Sequence, residues 1–354
     1  MNLLRWCVLL LTLWVAPSHG AVVLLYHHVS NTTPKSTSIS PAAFEAQMDY
    51  LELNNFTIVP LPELVEKLRQ GEPLPDKTVA ISFDDSYASV YESAYPRLKK
   101  RGWPFTFFVN TDSVGESKLF VSWDQLREMA KHGVTIANHT STHTHLPRKN
   151  TGENKSDYRA RIRADIEKAQ QKIQQEIGEV PMMLAYPFGE YDVEVQRVAK
   201  QLGYIAFGQQ SGALYEKGDL QAVPRFPFGG SFTGLDDFIM KVNTKPMPTR
   251  AGMFYADNKS VLESATVRAG DKPWLVLHLD DTHLPGKTTC FASGQGAIKV
   301  EVIGQQLWVQ ANKPLKPGRT RYNCTAPTGE KGRFYWYTQQ WLATDEKGNW
   351  TYTD

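Results

Sequence analysis

The stretch SFDDSY (82–87) sets two carboxylates side by side, Asp84 and Asp85, at the end of a short apolar run, VAISF (79–83). Neighbouring carboxylates repel, so such a pair calls for a cation or for a division of tasks. Alternation along a strand would turn the two side chains to different sides, one toward a metal and the other toward water. Further along, HTSTH (139–143) places His139 and His143 four residues apart. On a helical turn that spacing brings both rings to one face. Two imidazoles and one carboxylate are a common minimum for holding a divalent metal with positions left for water and substrate. Such a metal polarises a carbonyl and lowers the pKa of bound water from about 15.7 to about 7. The spacing alone is common, and its weight comes from where the residues fall.

From Ala21 to about Lys245, short apolar runs alternate with segments of helical period. The runs are VVLLY (22–26), VAISF (79–83), FTFFV (105–109), VTIA (134–137), MMLAY (182–186) and YIAFG (204–208). Between them lie PAAFEAQMDYLELN (41–54), SYASVYESAYPRLKKRG (86–102), WDQLREMAKHG (123–133) and residues 157–177, which carry Ile162, Ile166, Ala169, Ile173 and Ile177 at helical spacing before Gly178. The alternation predicts an α/β unit with a parallel sheet, open or closed into a barrel. Parallel α/β folds handle ligands at the carboxyl ends of their strands. Here those ends carry His27 and His28, Asp84 and Asp85, Asn138 through His143, and Pro187-Phe188-Gly189. The polar stretch 147–156 reads as an exposed loop.

After Lys245 the texture changes. PWLVLHL (273–279), AIKVEVIG (297–304), QLWVQA (306–311) and GRFYWYTQQWLA (332–343) are short, β-branched or aromatic, and punctuated by Gly, Pro and Asn. They predict a small all-β, sandwich-like unit over 246–354, with NTKPMPTRAG (243–252) as linker. Its aromatics, Trp308, Tyr335, Trp336, Tyr337, Trp341 and Trp350, fit either a core or a platform for sugar rings.

On these residues the chain resembles the polysaccharide deacetylases, the NodB-type domains of carbohydrate esterase family four. SFDDSY is similar to their T-F-D-D-G motif, HTSTH to H-[ST]-x-x-H, and the block WDQLREMAKHGVTIANHTSTH to the segment leading into it. LLYHHVS (24–30) and AYPFGEY (185–191) resemble the permuted subgroup that includes poly-β-1,6-N-acetylglucosamine deacetylases. The resemblance covers about 22–245 and implies a distorted (β/α) barrel that removes N-acetyl groups from N-acetylglucosamine polysaccharide. It implies Asp84 as base, Asp85, His139 and His143 as metal ligands, and Tyr186-Pro187-Phe188 as substrate-side turn, with the Phe188 N–H helping to hold an oxyanion. The metal implied is zinc, with cobalt, nickel or iron also accepted by two His and one Asp.

The departures are specific. Ala185 stands where the family's third motif has arginine, so Asp84 needs another partner, and Arg225 in VPRFPFGG is the candidate. Ser86 replaces the usual glycine. The acid histidine is His27 by the permuted pattern, with His28 as a shifted register and His278 in LVLHLDD as the alternative. His145 and His283 read as bystanders, His145 with the option of lining the cleft. Asp280 and Asp281 read as a polar turn, and Trp103 and Trp123 as core or stacking rings.

Residues 1–20 have the pattern of a secretory signal peptide: Arg5, an apolar stretch from Trp6 to Val15, and small residues at the exit. The apolar stretch is short for a span of about 20 residues, so the expectation is an exported, periplasmic or secreted chain without a stable transmembrane anchor. Of 39 Lys and Arg only Arg5 lies there, which leaves 38 against 37 acidic residues and no electrostatic case for nucleic acid. Cys7 leaves with it, so Cys290 and Cys324 remain and read as a disulfide in an oxidising compartment. Two alternatives stay open: an O-acetyl polysaccharide esterase using the same site, and a carbohydrate-binding protein with a degenerate domain.

Overall fold

The computed structural model describes residues 20–215, 217–249 and 252–351. The expected export segment therefore lies outside the described residues except for Gly20. Among the described residues no helix is long and apolar enough to cross a membrane.

The apolar runs become strands, all parallel, in the spatial order Phe226–Pro227, Ala21–Tyr26, Thr78–Phe83, Thr106–Val109, Thr135–Asn138, Met183–Ala185 and Ile205–Phe207, with Thr57–Ile58 also beside Thr78–Phe83. A single parallel bridge, Phe207 to Val223, links the last strand toward the first, so the sheet curls into a distorted barrel. Strands covered on both faces read as near-continuous apolar runs, and Ala21–Tyr26 and Thr78–Phe83 are buried throughout, with the Ser82 hydroxyl donating to the Leu24 carbonyl at 2.7 Å. Alternate residues serve separate cores. Val22, Leu24, Tyr26, Val79, Ile81 and Phe83 pack in one, while Ala21, Val23, Ala80, Phe108, Ala137, Ala185 and Phe207 pack in another with Leu61, Leu64 and Leu68.

Local signals set the helix ends. Ser40 caps Pro41–Leu53, Ser122 and Gln125 form a reciprocal capping box on Trp123–Lys131, and Asn154 caps Lys155–Ile177. Gly102, at φ 66°, closes Tyr95–Arg101 in the left-handed conformation that glycine tolerates. The result places each strand's carboxyl end on one rim.

Beyond Val242 the described elements are β-rich. One sheet runs Lys245–Pro246, Phe334–Thr344, Gly318–Pro327, Thr289–Ala292, Gly296–Ala297, with Thr266–Arg268 also on Phe334–Thr344. The other runs Val261–Leu262, Met253–Tyr255, Trp274–His278, Gln306–Gln310, Lys299–Ile303. Leu275, Leu277, Leu307 and Val309 of one share a core with Cys290, Cys324 and Trp341 of the other. The stretch expected as a linker is partly strand, because Lys245 and Pro246 pair with Tyr335 and Trp336. Trp336 meets Phe226 edge-on at 5.5 Å, and Arg333 grips Asp76 at 2.7 and 2.5 Å, so the two units are joined by packing and charge. The Arg333 guanidinium holds the Asp76 carboxyl below its usual range.

Cys290 and Cys324 are bonded across adjacent antiparallel strands, 34 residues apart in sequence and fully buried. Closing that loop restricts the unfolded chain. The double change of Cys290 and Cys324 to Ser should lower stability by about 3–4 kcal/mol, measured as a shifted denaturant midpoint; an unmoved midpoint would contradict it.

Candidate active site

The strand Thr78–Phe83 ends just before the two carboxylates, and strand alternation does not separate them. Asp85 and Ser86 both take left-handed backbone, at φ 75° and 59°, and this turn swings the side chains apart. Such residues cost about 1–2 kcal/mol each unless the surroundings hold them. Ser86 is held, since its hydroxyl donates to Asn110 Oδ1 at 2.8 Å and accepts the Asn110 N–H at 3.0 Å. That explains a serine at a position suited to glycine.

Asp84 points inward and is completely buried. Arg225, equally buried, donates to both its oxygens at 2.8 and 2.7 Å, and its Nε donates to the Gly208 carbonyl at 3.0 Å. The guanidinium lies 5.3 Å from the Phe108 ring and 6.0 Å from that of Phe207. Ala185 leaves the usual arginine position empty of charge, and Arg225 reaches Asp84 from the start of Phe226–Pro227, two strands from Thr78–Phe83, instead.

Asp85 faces the histidines. Its Oδ1 lies 3.1 Å from His139 Nε2 and 3.0 Å from His143 Nε2, while Oδ2 lies 3.9 Å from His27 Nε2. The HTSTH segment is not the helical turn that the spacing suggested. Thr140 and His143 are left-handed at φ 65° and 52°, and the local polar side chains take up the backbone N–H groups that a helix would have used. Asn138 Oδ1 accepts from Thr140 N–H at 2.8 Å, Thr140 Oγ1 from His143 N–H at 3.1 Å, and Asp165 Oδ1 from Ser141 and Thr142 N–H at 3.1 and 3.0 Å. The rings end 4.9 Å apart.

Whether these atoms suit a metal is decided by their hydrogen bonding. His139 Nδ1 lies 2.8 Å from the Ala185 carbonyl, which can only accept, so Nδ1 carries a proton and Nε2 is the atom left to face Asp85 and to ligate an ion. His143 Nε2 is buried 3.0 Å from Asp85 Oδ1, outside hydrogen-bond geometry and with no other partner. One ligand atom each from Asp85, His139 and His143 lies within 4.8 Å of the others. Two imidazole nitrogens gathered on one carboxylate are a donor set that a divalent metal takes, so the residues fit such an ion. Burial acts to raise the Asp85 carboxyl, but His27, His139 and His143 overturn it and hold Asp85 well below the carboxylate range. Burial acts to lower His139, and Asp84 and Asp85 outweigh it to leave the ring raised.

His27 is partly exposed beside Asp85, whereas His28 is turned away. The His28 ring stacks on Tyr87 at 3.6 Å, its Nδ1 is 3.2 Å from Ser89 Oγ, and burial together with His27 lowers it to about 4. His278 lies at the end of Trp274–His278 in the five-stranded sheet, opposite Gln306. Its carbonyl accepts from Thr249 Oγ1. The structure thus brings His27 to the cluster and leaves His278 in the β-rich unit.

At the third rim position, Tyr186 and Pro187 are buried and Phe188 turns left-handed at φ 57°, ψ 5°. The Phe188 ring is 4.6 Å from that of His143 and stacks on His145 at 3.9 Å. His145 is therefore part of the site's wall, and its Nδ1 bonds the buried Glu190 at 2.8 Å. Its position two residues past His143 was the only hint of this in the sequence. Glu190, Arg319, Gln340 and Trp350, which also meet this turn, carry no local signal because three of them come from the β-rich unit. His283 pairs with Asp281 on the surface, and Trp103 and Trp123 pack against the first core.

Residues 71–207 match the family model described as polysaccharide deacetylase. The chain is 27% identical over 245 residues to the poly-β-1,6-N-acetyl-D-glucosamine N-deacetylase of Escherichia coli K12, covering 59% of this chain and 36% of that protein. The chain thus spans little more than a third of that relative's length. Among solved structures it resembles IcaB from Ammonifex degensii, at 27% identity and TM-score 0.54 over 61% of this chain and 94% of that one. It also shares the fold of the Streptococcus pyogenes deacetylase PplD, at 20% identity and TM-score 0.56 over 63% of this chain and 98% of that one.

Proposed function

We propose that this chain, which carries a polysaccharide deacetylase domain across residues 71–207, is an exported metal-dependent hydrolase that removes N-acetyl groups from a polymer of N-acetylglucosamine. Poly-β-1,6-N-acetylglucosamine is the substrate favoured by the named relatives, ahead of peptidoglycan strands and chitin oligomers. The observation that carries the reading is the opposed pair of carboxylates, Asp84 locked to Arg225 and Asp85 facing His139 and His143.

Asp85, His139 and His143 would hold the divalent ion, with zinc the first choice and cobalt, nickel or iron accepted by the same donors. When bound, such an ion lowers the pKa of water and polarises the acetyl carbonyl. Asp84 takes the proton from the attacking water, and Arg225 keeps its carboxylate aimed. The Phe188 N–H donates to the oxygen of the tetrahedral intermediate, with Tyr186 and Pro187 shaping that side of the cleft. His27 gives the departing amine its proton. The division of the chain into 21–245 and 246–354 belongs to the same reading.

The missing motif arginine was the footing for a degenerate, merely sugar-binding domain, and Arg225, just before the strand Phe226–Pro227, supplies that contact instead. The burial of Trp341 and Trp350 weakens the sugar-platform argument as well.

Acetate release from the three polymers, with and without chelator, tests the proposal. Release from at least one, lost on chelation and restored by zinc, is expected; no release from any would overturn it. Comparing N- and O-acetylated forms of the same polymer separates amidase from esterase. His27→Ala should lower kcat by about a hundredfold or more while His278→Ala leaves it unchanged; the reverse result would transfer the acid role to His278.

A further inference from the structure

We propose that the β-rich C-terminal unit is a working part of the active site, with Arg319, Gln340 and Trp350 as positioning residues that set the turn at Phe188. The inference rests on the reading that the Phe188 N–H serves the reacting carbonyl.

Three consecutive residues of the turn are each held by a different segment of the C-terminal unit. Arg319, on Gly318–Pro327, donates from Nη1 to the Phe188 carbonyl. Gln340, on Phe334–Thr344, donates from Nε2 to the Gly189 carbonyl at 2.9 Å. Trp350 donates from Nε1 to Glu190 Oε2 at 2.9 Å. Glu190 Oε2 also bonds His145 Nδ1 at 2.8 Å, and Arg319 Nε lies 3.7 Å from Glu190 Oε1. Gln340, Trp350 and Glu190 are all nearly or fully buried.

The turn needs holding. Phe188 and Gly189 are successive left-handed residues, at φ 57° and 67°, and a side chain on Gly189 would meet Gln209 at 2.6 Å. A phenylalanine in that conformation persists only where its surroundings over-determine it. The Phe188 and Gly189 carbonyls share their peptide planes with the Gly189 and Glu190 N–H groups. The Glu190 N–H donates to the Pro187 carbonyl at 3.1 Å, so holding these planes also sets the Pro187–Phe188 plane that carries the Phe188 N–H. The contact through Glu190 reaches His145, whose ring in turn backs Phe188 at 3.9 Å. Displacing a reacting group by about 1 Å can cost about a hundredfold in rate, so small movements of this turn matter.

The test uses the full chain. Arg319→Ala, Gln340→Met and Trp350→Phe are compared with wild type for kcat and KM of acetate release, metal content, melting temperature, and hydrogen exchange of the peptide covering 184–191. The expected result is a fall in kcat of about tenfold to a hundredfold. KM and metal content should stay near wild type and the melting temperature should fall by no more than a few degrees, with faster exchange confined to 184–191. Arg319→Lys, which keeps a donor, should recover part of both kcat and protection. Unchanged exchange and kcat in all three variants would overturn the proposal, as would losses that only track the unfolded fraction. If wild type releases no acetate, the deacetylase reading fails by itself, and the exchange measurement still decides whether these residues hold the turn.

Discussion

Replacing Asp84 with Asn should lower kcat for acetate release by about 10²–10⁴-fold, the range expected for losing a general base, while the metal stays bound. Asp84 is not among the cation donors; it faces Arg225, whereas Asp85 faces His139 and His143. The variant keeps one acceptor oxygen for Arg225 and turns an amide N–H₂ toward the guanidinium. A modest loss of stability, about 1–3 kcal/mol, therefore accompanies the kinetic loss. Metal content measured on the same preparation separates the two aspartates: Asp85→Asn should lose metal and activity together. An Asp84→Asn protein with near wild-type turnover would remove Asp84 from the mechanism.

Replacing Arg225 with Met should destabilise the first unit strongly. The ion pair lies wholly out of solvent, with two parallel hydrogen bonds between groups that are both completely buried. Removing the cation from beside Phe108 and Phe207 strands the fully buried Asp84 carboxylate without its partner, at a cost of about 3–5 kcal/mol. Without Arg225 the Asp84 carboxylate also loses the two hydrogen bonds that aim it. Turnover at neutral pH should therefore collapse as well. In the double variant Asp84→Asn with Arg225→Met, the stability loss should be clearly smaller than the sum of the singles, because no unpaired charge remains. Activity should not return. Denaturant titration of the four proteins checks the first statement and acetate release the second; additive stability losses would mean that the pair is energetically unimportant.

Much of the site could be read from the sequence because strand ends in a parallel sheet share one rim. Once VAISF, VTIA and MMLAY are taken as strands, Asp84, Asp85, His139, His143 and Phe188 fall on that rim without further information. The local geometry was harder to foresee. The HTSTH spacing suggests a helical turn, yet Asn138, Thr140 and Asp165 satisfy the backbone in a left-handed loop. The adjacent aspartates suggest strand alternation, yet a left-handed turn at Asp85 and Ser86 separates them. In both places side chain–backbone hydrogen bonds, some from distant residues, override a periodicity that assumes regular structure.

By itself the sequence determined the strand–helix order, the rim on which the ionisable residues gather, and the residue types that could hold a metal, since these follow from periodicity and from short motifs. Only the tertiary structure decided the pairings that cross the chain. Arg225 meets Asp84 from 141 residues away, and Gln340 meets Gly189 from 151 residues away. Barrel closure and the docking of the C-terminal unit create these contacts, and no local pattern encodes them. A buried charge and a strained turn each need a partner, but which residue supplies it depends on which strands the folded chain brings side by side.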